Sequence, residues 1–296
     1  MPTVLRAILL MIVANFLFTF ADLFLKLSTR TISLGMVTLL LGCGVSVFFL
    51  VPMLRRRDRF FDRAYLHPGM FMRCIGESVG IVGIIVALAF SDLALVTALL
   101  QSLPLVLTAM GILFLREAFD WQRLVALLIG LAGVLIIIRP GMAGFDLFAS
   151  ITLIGVAGYA IRDFGTRIMP PEISTEVMSF YGSIAVVLTG LGMIMVGQEW
   201  QAPDWRGLGY TAALIAMASL GTLTITLALR LGEFTIVSPF RYVRVVFGMG
   251  VGVLILGETV DIPSLVGSAI VVAVGLYSWM RERNLALANT QGAQPD

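Results

Sequence analysis

Apolar residues run along this chain in blocks of about twenty, broken by short charged or Pro/Gly-containing stretches. A bilayer's hydrocarbon layer of about 30 Å needs roughly 20 apolar residues in a helix to cross it. Read between the breaks, the blocks predict ten helices, at residues 4–25, 33–54, 69–90, 95–115, 121–138, 146–167, 176–197, 207–229, 236–256 and 262–280. The expectation is an all-α membrane protein with ten transmembrane helices. The longest break is the basic stretch from Arg55 to His67, and the residues after Arg283 read as a polar, mobile cytoplasmic tail, 284–296.

Composition agrees. The chain is 59% hydrophobic and 13% charged, with a mean hydropathy of +0.99, far from soluble proteins at about 45–50% apolar and about 25% charged. No sustained basic face suggests nucleic acid as a partner. Cys43 and Cys74 lack the spacing of a zinc or disulfide framework. His67 has no partner at metal-ligand spacing, so no metal or cofactor is expected. The first apolar run, preceded only by Arg6, reads as a retained span.

Basic residues set the orientation. With the N-terminus cytoplasmic, fourteen arginines fall at inner loops or inner helix ends, against Lys26, Arg30, Arg139 and Arg206 on the outer side. Both termini are therefore expected in the cytoplasm.

The chain also repeats itself. Residues 141 apart match at Asp22 and Asp163, Ser33 and Ser174, Ser78 and Ser219, Gly80 and Gly221, Gly111 and Gly252, Glu117 and Glu258, and Asp120 and Asp261. Five spans per repeat is an odd number, so the halves enter the bilayer from opposite faces. That predicts two inverted-topology five-helix repeats, at 1–139 and 146–283, joined by an extracytoplasmic linker at 140–145. Such repeats commonly rock around a central site.

Ionisable residues inside a membrane are costly and usually face a protein interior or a watery cavity. Helical spacing gathers Asn15, Thr19, Asp22 and Lys26 on one face of helix one, and Arg73, Glu77 and Gly80 on one face of helix three. Helix four offers Thr97, Gln101, Pro104 and Thr108. Helix six offers Tyr159, Arg162, Asp163 and Thr166, helix eight Ser219, Thr222 and Thr226, and helix nine Arg241 and Arg244. Helices two, five, seven and ten read as apolar nearly all round. Four arginines (73, 162, 241 and 244) against the two acids Glu77 and Asp163 favour an electron-rich substrate, since arginine presents a fork of donors to planar anions.

The competing readings are structural. An arginine this near an interface can snorkel to the headgroups. Arg73 with Glu77, and Asp22 with Lys26, are i, i+4 pairs able to neutralise one another. Gln101 and Tyr242, equivalent under the repeat, fit either a substrate contact or a helix–helix hydrogen bond. Pro104 and Pro239 are candidate hinges; Pro104 in particular predicts a kink in helix four. Glu117 and Asp120 sit at a helix end, where Asp120 reads as an N-cap and the cluster as a structural turn rather than a catalytic acid pair.

The segment Leu99-Leu100-Gln101-Ser102-Leu103-Pro104-Leu105, followed by Leu113-Phe114-Leu115-Arg116-Glu117, resembles the first-repeat signature of the drug/metabolite transporter superfamily, EamA type. Ser238-Pro239-Phe240-Arg241-Tyr242 and Leu256-Gly257-Glu258 are its second-repeat counterpart. The run from Ile161 to Arg167 is similar to a pattern in the branch that includes bacterial riboflavin and S-adenosylmethionine importers. One departure is Arg116, where the family usually has glycine; little consequence is expected at a headgroup position. The resemblance implies that helices one, three, four, six, eight and nine line a central cavity, the same six picked out by their polar stripes.

The expected function is secondary transport of a small organic metabolite, anionic or ring-bearing, across the bacterial inner membrane by alternating access. Broad export of amino acids or drugs is the runner-up; a scaffold or a membrane-embedded transferase is less favoured. The expected substrate-binding residues are Arg241, Tyr242, Gln101, Arg244, Glu77, Arg73, Tyr159, Arg162, Asp163 and Asn15. If protons are coupled, Glu77, Asp163 and Asp22 are the titratable candidates. Monomer and homodimer both remain open.

Overall fold

A computed structural model describes residues 3–29, 31–58, 60–90, 99–118, 120–138, 147–196, 204–256 and 262–291. Ten helices carry the fold among these residues. They are α1 (Thr3–Ser28), α2 (Leu34–Arg56), α3 (Pro68–Phe90), α4 (Leu103–Leu115), α5 (Trp121–Ile138), α6 (Leu147–Arg167), α7 (Thr175–Met195), α8 (Trp205–Leu231), α9 (Val243–Leu256) and α10 (Ile262–Gln291). By length and composition α1, α2, α7 and α8 can each cross a bilayer. The charged residues in α3 and α6 interrupt otherwise apolar helices. The linker 140–145, Glu258 and Asp261 lie outside the described residues.

The helices associate in cross-repeat pairs: α1 with α8, α2 with α7, α3 with α6 and α5 with α10. Lipid offers little hydrophobic drive for such pairing, so close packing has to supply it. The α3–α6 pair does this with glycine. A Cβ on Gly76 would lie 2.4 Å from the Arg162 amide nitrogen, one on Gly158 2.5 Å from the Gly80 nitrogen, and one on Gly165 2.5 Å from the Gly69 carbonyl oxygen. Here backbone touches backbone. The α2–α7 pair adds a buried Ser46–Ser183 hydroxyl contact of 2.8 Å.

Three expectations change. Helix four is interrupted rather than kinked: a turn at Gln101–Ser102 precedes α4, and Pro104 occupies its first turn, where the missing N–H costs nothing. Helix nine is likewise not continuous. It opens with a single α-turn, Phe234–Val237, passes through a 3-10 turn, Ser238–Tyr242, that holds Pro239 near its start, and only then becomes α9. The helix-breaking prolines thus stand where two repeat-equivalent helices break. The third change is at the C-terminus, where α10 continues to Gln291 instead of giving way to a mobile tail after Arg283. Leu285, Ala286, Leu287 and Ala288 are strong helix formers.

Arg116 has a role its sequence position conceals. It closes α4 with φ 55°, in the left-handed region that glycine adopts without strain. That turn lets the Glu117 amide donate to the Gly111 carbonyl at 3.0 Å. The Glu117 carboxylate then accepts from the amides of Phe234 (2.9 Å) and Thr235 (3.0 Å). A carboxylate on the first amides of a helical segment satisfies donors that have no intrahelical partner. Glu117 is therefore a cap between helices four and nine, as the structural reading expected. Asp120 caps α5, accepting from the Gln122 amide at 2.9 Å, and it also holds Arg281 of α10.

Candidate functional site

Two groups of charges meet between α1, α3, α6 and the start of α9. The first is closed in. Asp163 is 1% exposed and its two oxygens take different arginines: Oδ1 accepts from Arg162 Nε at 2.8 Å, and Oδ2 from Arg241 Nη2 at 2.5 Å. Arg162 also donates to Glu77 Oε1 at 3.2 Å and lies over the Tyr159 ring, 4.5 Å from its centroid. The 3-10 turn after Val237 places Arg241 here, and its Nε is buried with no acceptor.

Arg73 stands beside this group but belongs to the frame. Only 3% exposed, it donates from Nε to the Met178 carbonyl at 3.0 Å and from Nη2 to Thr226 at 3.2 Å and Ser179 at 3.4 Å, with Thr166 taking Nη1. It joins α3, α6, α7 and α8. Glu77, considered as a partner of Arg73, instead accepts from Arg162, and Arg73, Arg162 and Arg241 all have partners on other helices. Helix seven, read as apolar, contributes the Ser179 hydroxyl and the Met178 carbonyl.

The second group is open. Arg244 of α9 donates from Nε to Asp22 Oδ2 of α1 at 3.1 Å, and its guanidinium lies 5.5 Å from the centre of the Phe18 ring. The Asp22 side chain is 56% exposed and that of Arg244 39%. Asp22 thus meets Arg244; the side chain of Lys26, the other partner considered for it, lies outside the described residues. Tyr159 lies between the two groups, in electrostatic range of Arg162 and Glu77 in one and of Arg244 and Asp22 in the other.

Three expected site residues fall elsewhere. Tyr242 packs among Leu127, Val134 and Val271 of α5 and α10, its ring pressed on Gly130 and its hydroxyl without a partner. It follows Arg241 in sequence but points into a different cluster. Gln101 is buried at the break before α4. Asn15 donates its side-chain amide to the Met11 carbonyl of its own helix at 2.7 Å. The close group is therefore Arg162, Asp163, Arg241, Glu77 and Tyr159, with Arg244 and Asp22 beside it. Among the described residues no cluster of three or more metal-ligating side chains occurs.

Comparison with known proteins locates this arrangement. The profile of the EamA-like transporter family matches residues 5–139 and again 147–278. An S-adenosylmethionine uptake transporter of Rickettsia felis is 23% identical over 190 residues, 64% of each chain. A riboflavin transporter of Vibrio cholerae is 28% identical over 202 residues, 64% of this chain and 65% of its own. The chain thus aligns with a little under two thirds of the length of these curated relatives. A pseudopaline exporter of Pseudomonas aeruginosa is 22% identical over 267 residues, 90% of this chain and 93% of its own. One solved crystal structure superposes on 94% of this chain and 98% of its own with a TM-score of 0.79 at 16% identity, a likeness of fold alone.

Proposed function

Since the chain belongs to the EamA-like transporter family, we propose that it is a secondary transporter of a small organic metabolite in the bacterial cytoplasmic membrane, working by alternating access. The observation that carries this reading is the contrast between the two charge groups. Asp163 with Arg162, Arg241 and Glu77 ties α3, α6 and the start of helix nine together, while the Asp22–Arg244 pair one turn further along lies open. Charges buried at one end of a polar track and exposed at the other fit one half-cycle of alternating access.

Ten membrane spans in two inverted repeats, 1–139 and 146–283, with both termini cytoplasmic, complete the proposal. The helix pairing supports it. Exchanging each helix for the one five places away turns α1–α8 into α3–α6 and leaves α2–α7 and α5–α10 unchanged, the behaviour of a pseudo-two-fold axis. With the N-terminus inside, the closed group lies toward the cytoplasm and the cavity opens outward.

The substrate is polar and charged or ring-bearing. The excess of arginine over acid shrinks once Asp22 is counted, to four (73, 162, 241 and 244) against three (22, 77 and 163). Energy comes from the substrate gradient or a coupled ion. The proton candidates are Glu77, Asp163 and Asp22; both oxygens of Asp163 are engaged by arginine. Export is the second reading, favoured by the 90% coverage in the match to the pseudopaline exporter.

The test is reconstitution in liposomes and uptake of labelled riboflavin, S-adenosylmethionine, nucleosides and amino acids, with and without a pH gradient. Saturable flux of one class is expected, reduced at least tenfold in Arg241→Ala with the protein still folded, because Asp163 keeps Arg162. Flux unchanged in that variant would remove Arg241 from the site. A wild-type protein that moves nothing in either direction would overturn the transport reading.

A further inference from the structure

We infer that Asp22 and Arg244 form a zwitterion clamp, in which Asp22 takes a substrate ammonium group and Arg244 takes its carboxylate, so that the transported metabolite carries an α-amino-acid moiety. The inference rests on the transport reading above and deepens it. Among the described residues this is the one ion pair whose side chains are both more than a third exposed. That exposure faces the interior. The lipid-facing stripe of α1 is marked by exposed Leu9, Val13 and Phe16, and at 3.6 residues per turn Asp22 lies roughly 150° around the helix from it. On the facing helix there is room one turn beyond Arg244, where a Cβ added to Gly248 would meet nothing within 4 Å.

Charge complementarity points to the ligand class. A simple anion matches Arg244 alone and a simple cation matches Asp22 alone, whereas the two side chains stand side by side with opposite signs. A zwitterion replaces one ion pair by two, and neither protein charge is left alone. The neighbouring group cannot serve an ammonium in the same way, because both oxygens of Asp163 are already engaged by arginine. Phe18 beneath the Arg244 guanidinium supplies apolar surface for the remainder of the molecule. S-adenosylmethionine, moved by one relative, has an α-amino-acid end; riboflavin, moved by another, has none.

The experiment measures labelled S-adenosylmethionine, methionine and riboflavin flux in proteoliposomes, then competition by methionine, N-acetylmethionine (an anion) and methionine methyl ester (a cation). Methionine should compete at least tenfold better than either derivative. Asp22→Asn should weaken methionine and improve N-acetylmethionine relative to it; Arg244→Gln should do the same for the methyl ester. For a slow variant, the ranking is read from thermal stabilisation of the detergent-solubilised protein by each compound. Equal competition by all three, or an unchanged ranking in either variant, would overturn the clamp. So would a folded variant that none of the compounds stabilises, since the remaining partner must still hold its half of the ligand. Riboflavin flux without S-adenosylmethionine or methionine flux would overturn the clamp and leave the transport reading standing. Flux of none of the three would overturn the clamp, while the transport reading is decided by the wider panel of labelled compounds.

Discussion

Asp22 and Asp163 occupy equivalent places in the two halves of the chain, and each meets an arginine of helix nine. They are otherwise opposites. Asp163 is 1% exposed and held by two guanidiniums; Asp22 is more than half exposed and held by one. The same residue type is a fastening at one place and an accessible charge at the other. What separates them is their neighbours. Glycines at 76, 80, 158 and 165 bring α3 against α6 until backbones touch around Asp163. The corresponding α1–α8 contact is looser: Met217, Leu17 and Phe24 stand at the places of Gly76, Gly158 and Gly165, and a Cβ on Gly221 would lie 3.2 Å from the ring of Phe18, where one on Gly80 would lie within that distance of the Tyr159 ring. Close approach excludes solvent on one side, and larger side chains at three of the four glycine positions keep the helices further apart on the other.

The contrast can be broken most sharply at Asp163. Asp163→Asn leaves Arg162 and Arg241 buried without their shared counter-charge, and removing one member of a buried pair costs about 3–5 kcal/mol. A large fall in thermal midpoint in detergent is expected; a fall of only a degree or two would show that the closed group is not a fastening. Asp22→Asn is the matched control. Exposed pairs contribute about 0–1 kcal/mol, so the midpoint should stay close to wild type, and a collapse of the fold would erase the distinction. The smallest effect lies outside the membrane helices, at Asp120. Burial alone would raise its pKa, but the hydrogen bond from Arg281, those from the Gln122 and Arg123 amides, and the charge of Arg281 outweigh it and hold the carboxyl below its usual 3.8. A lowered native pKa stabilises the fold fully above the unfolded value and loses that contribution as pH falls through the native one. Acid titration of stability below about pH 4 should therefore be shallower in Asp120→Asn, and identical slopes would remove Asp120 from the α5–α10 contact.

Much of the architecture was legible because membrane solvation writes it into hydropathy: blocks of apolar residues marked most helix ends to within a few positions, the starts of α4 and α9 and the end of α10 excepted. The polar stripes on helices one, three, six and nine located the charges for the same reason, since an arginine in such a block needs an interior partner. Which partner was not legible. Glu77 has Arg73 four residues before it, the spacing of an intrahelical pair, yet it meets Arg162 from another helix, because helix crossing, not spacing, decides which charges touch. Tyr242 was misplaced by adjacency: in a 3-10 turn, neighbours diverge by about 120°, so Arg241 and Tyr242 enter different clusters. The role of Arg116 was hidden because a left-handed φ leaves no trace in a residue type that seldom adopts it. Ser179 was overlooked because helix seven was read as apolar nearly all round, although it carries several hydroxyls at small residues.

The pairing of helices across the chain also sets a timetable for its synthesis. The Asp22 carboxylate finds Arg244 only after another 222 residues have been made, and α1 packs on a partner, α8, that emerges near the end. Until then the first helix must endure the bilayer with its own resources. Asn15 and Thr19 already bond to carbonyls of their own helix and can do so from the outset, whereas the partner that Asp22 meets in the folded chain belongs to the ninth helix. The two ends of that ion pair are therefore separated in time by most of translation, and the pair can close only when the second half of the chain is in the bilayer.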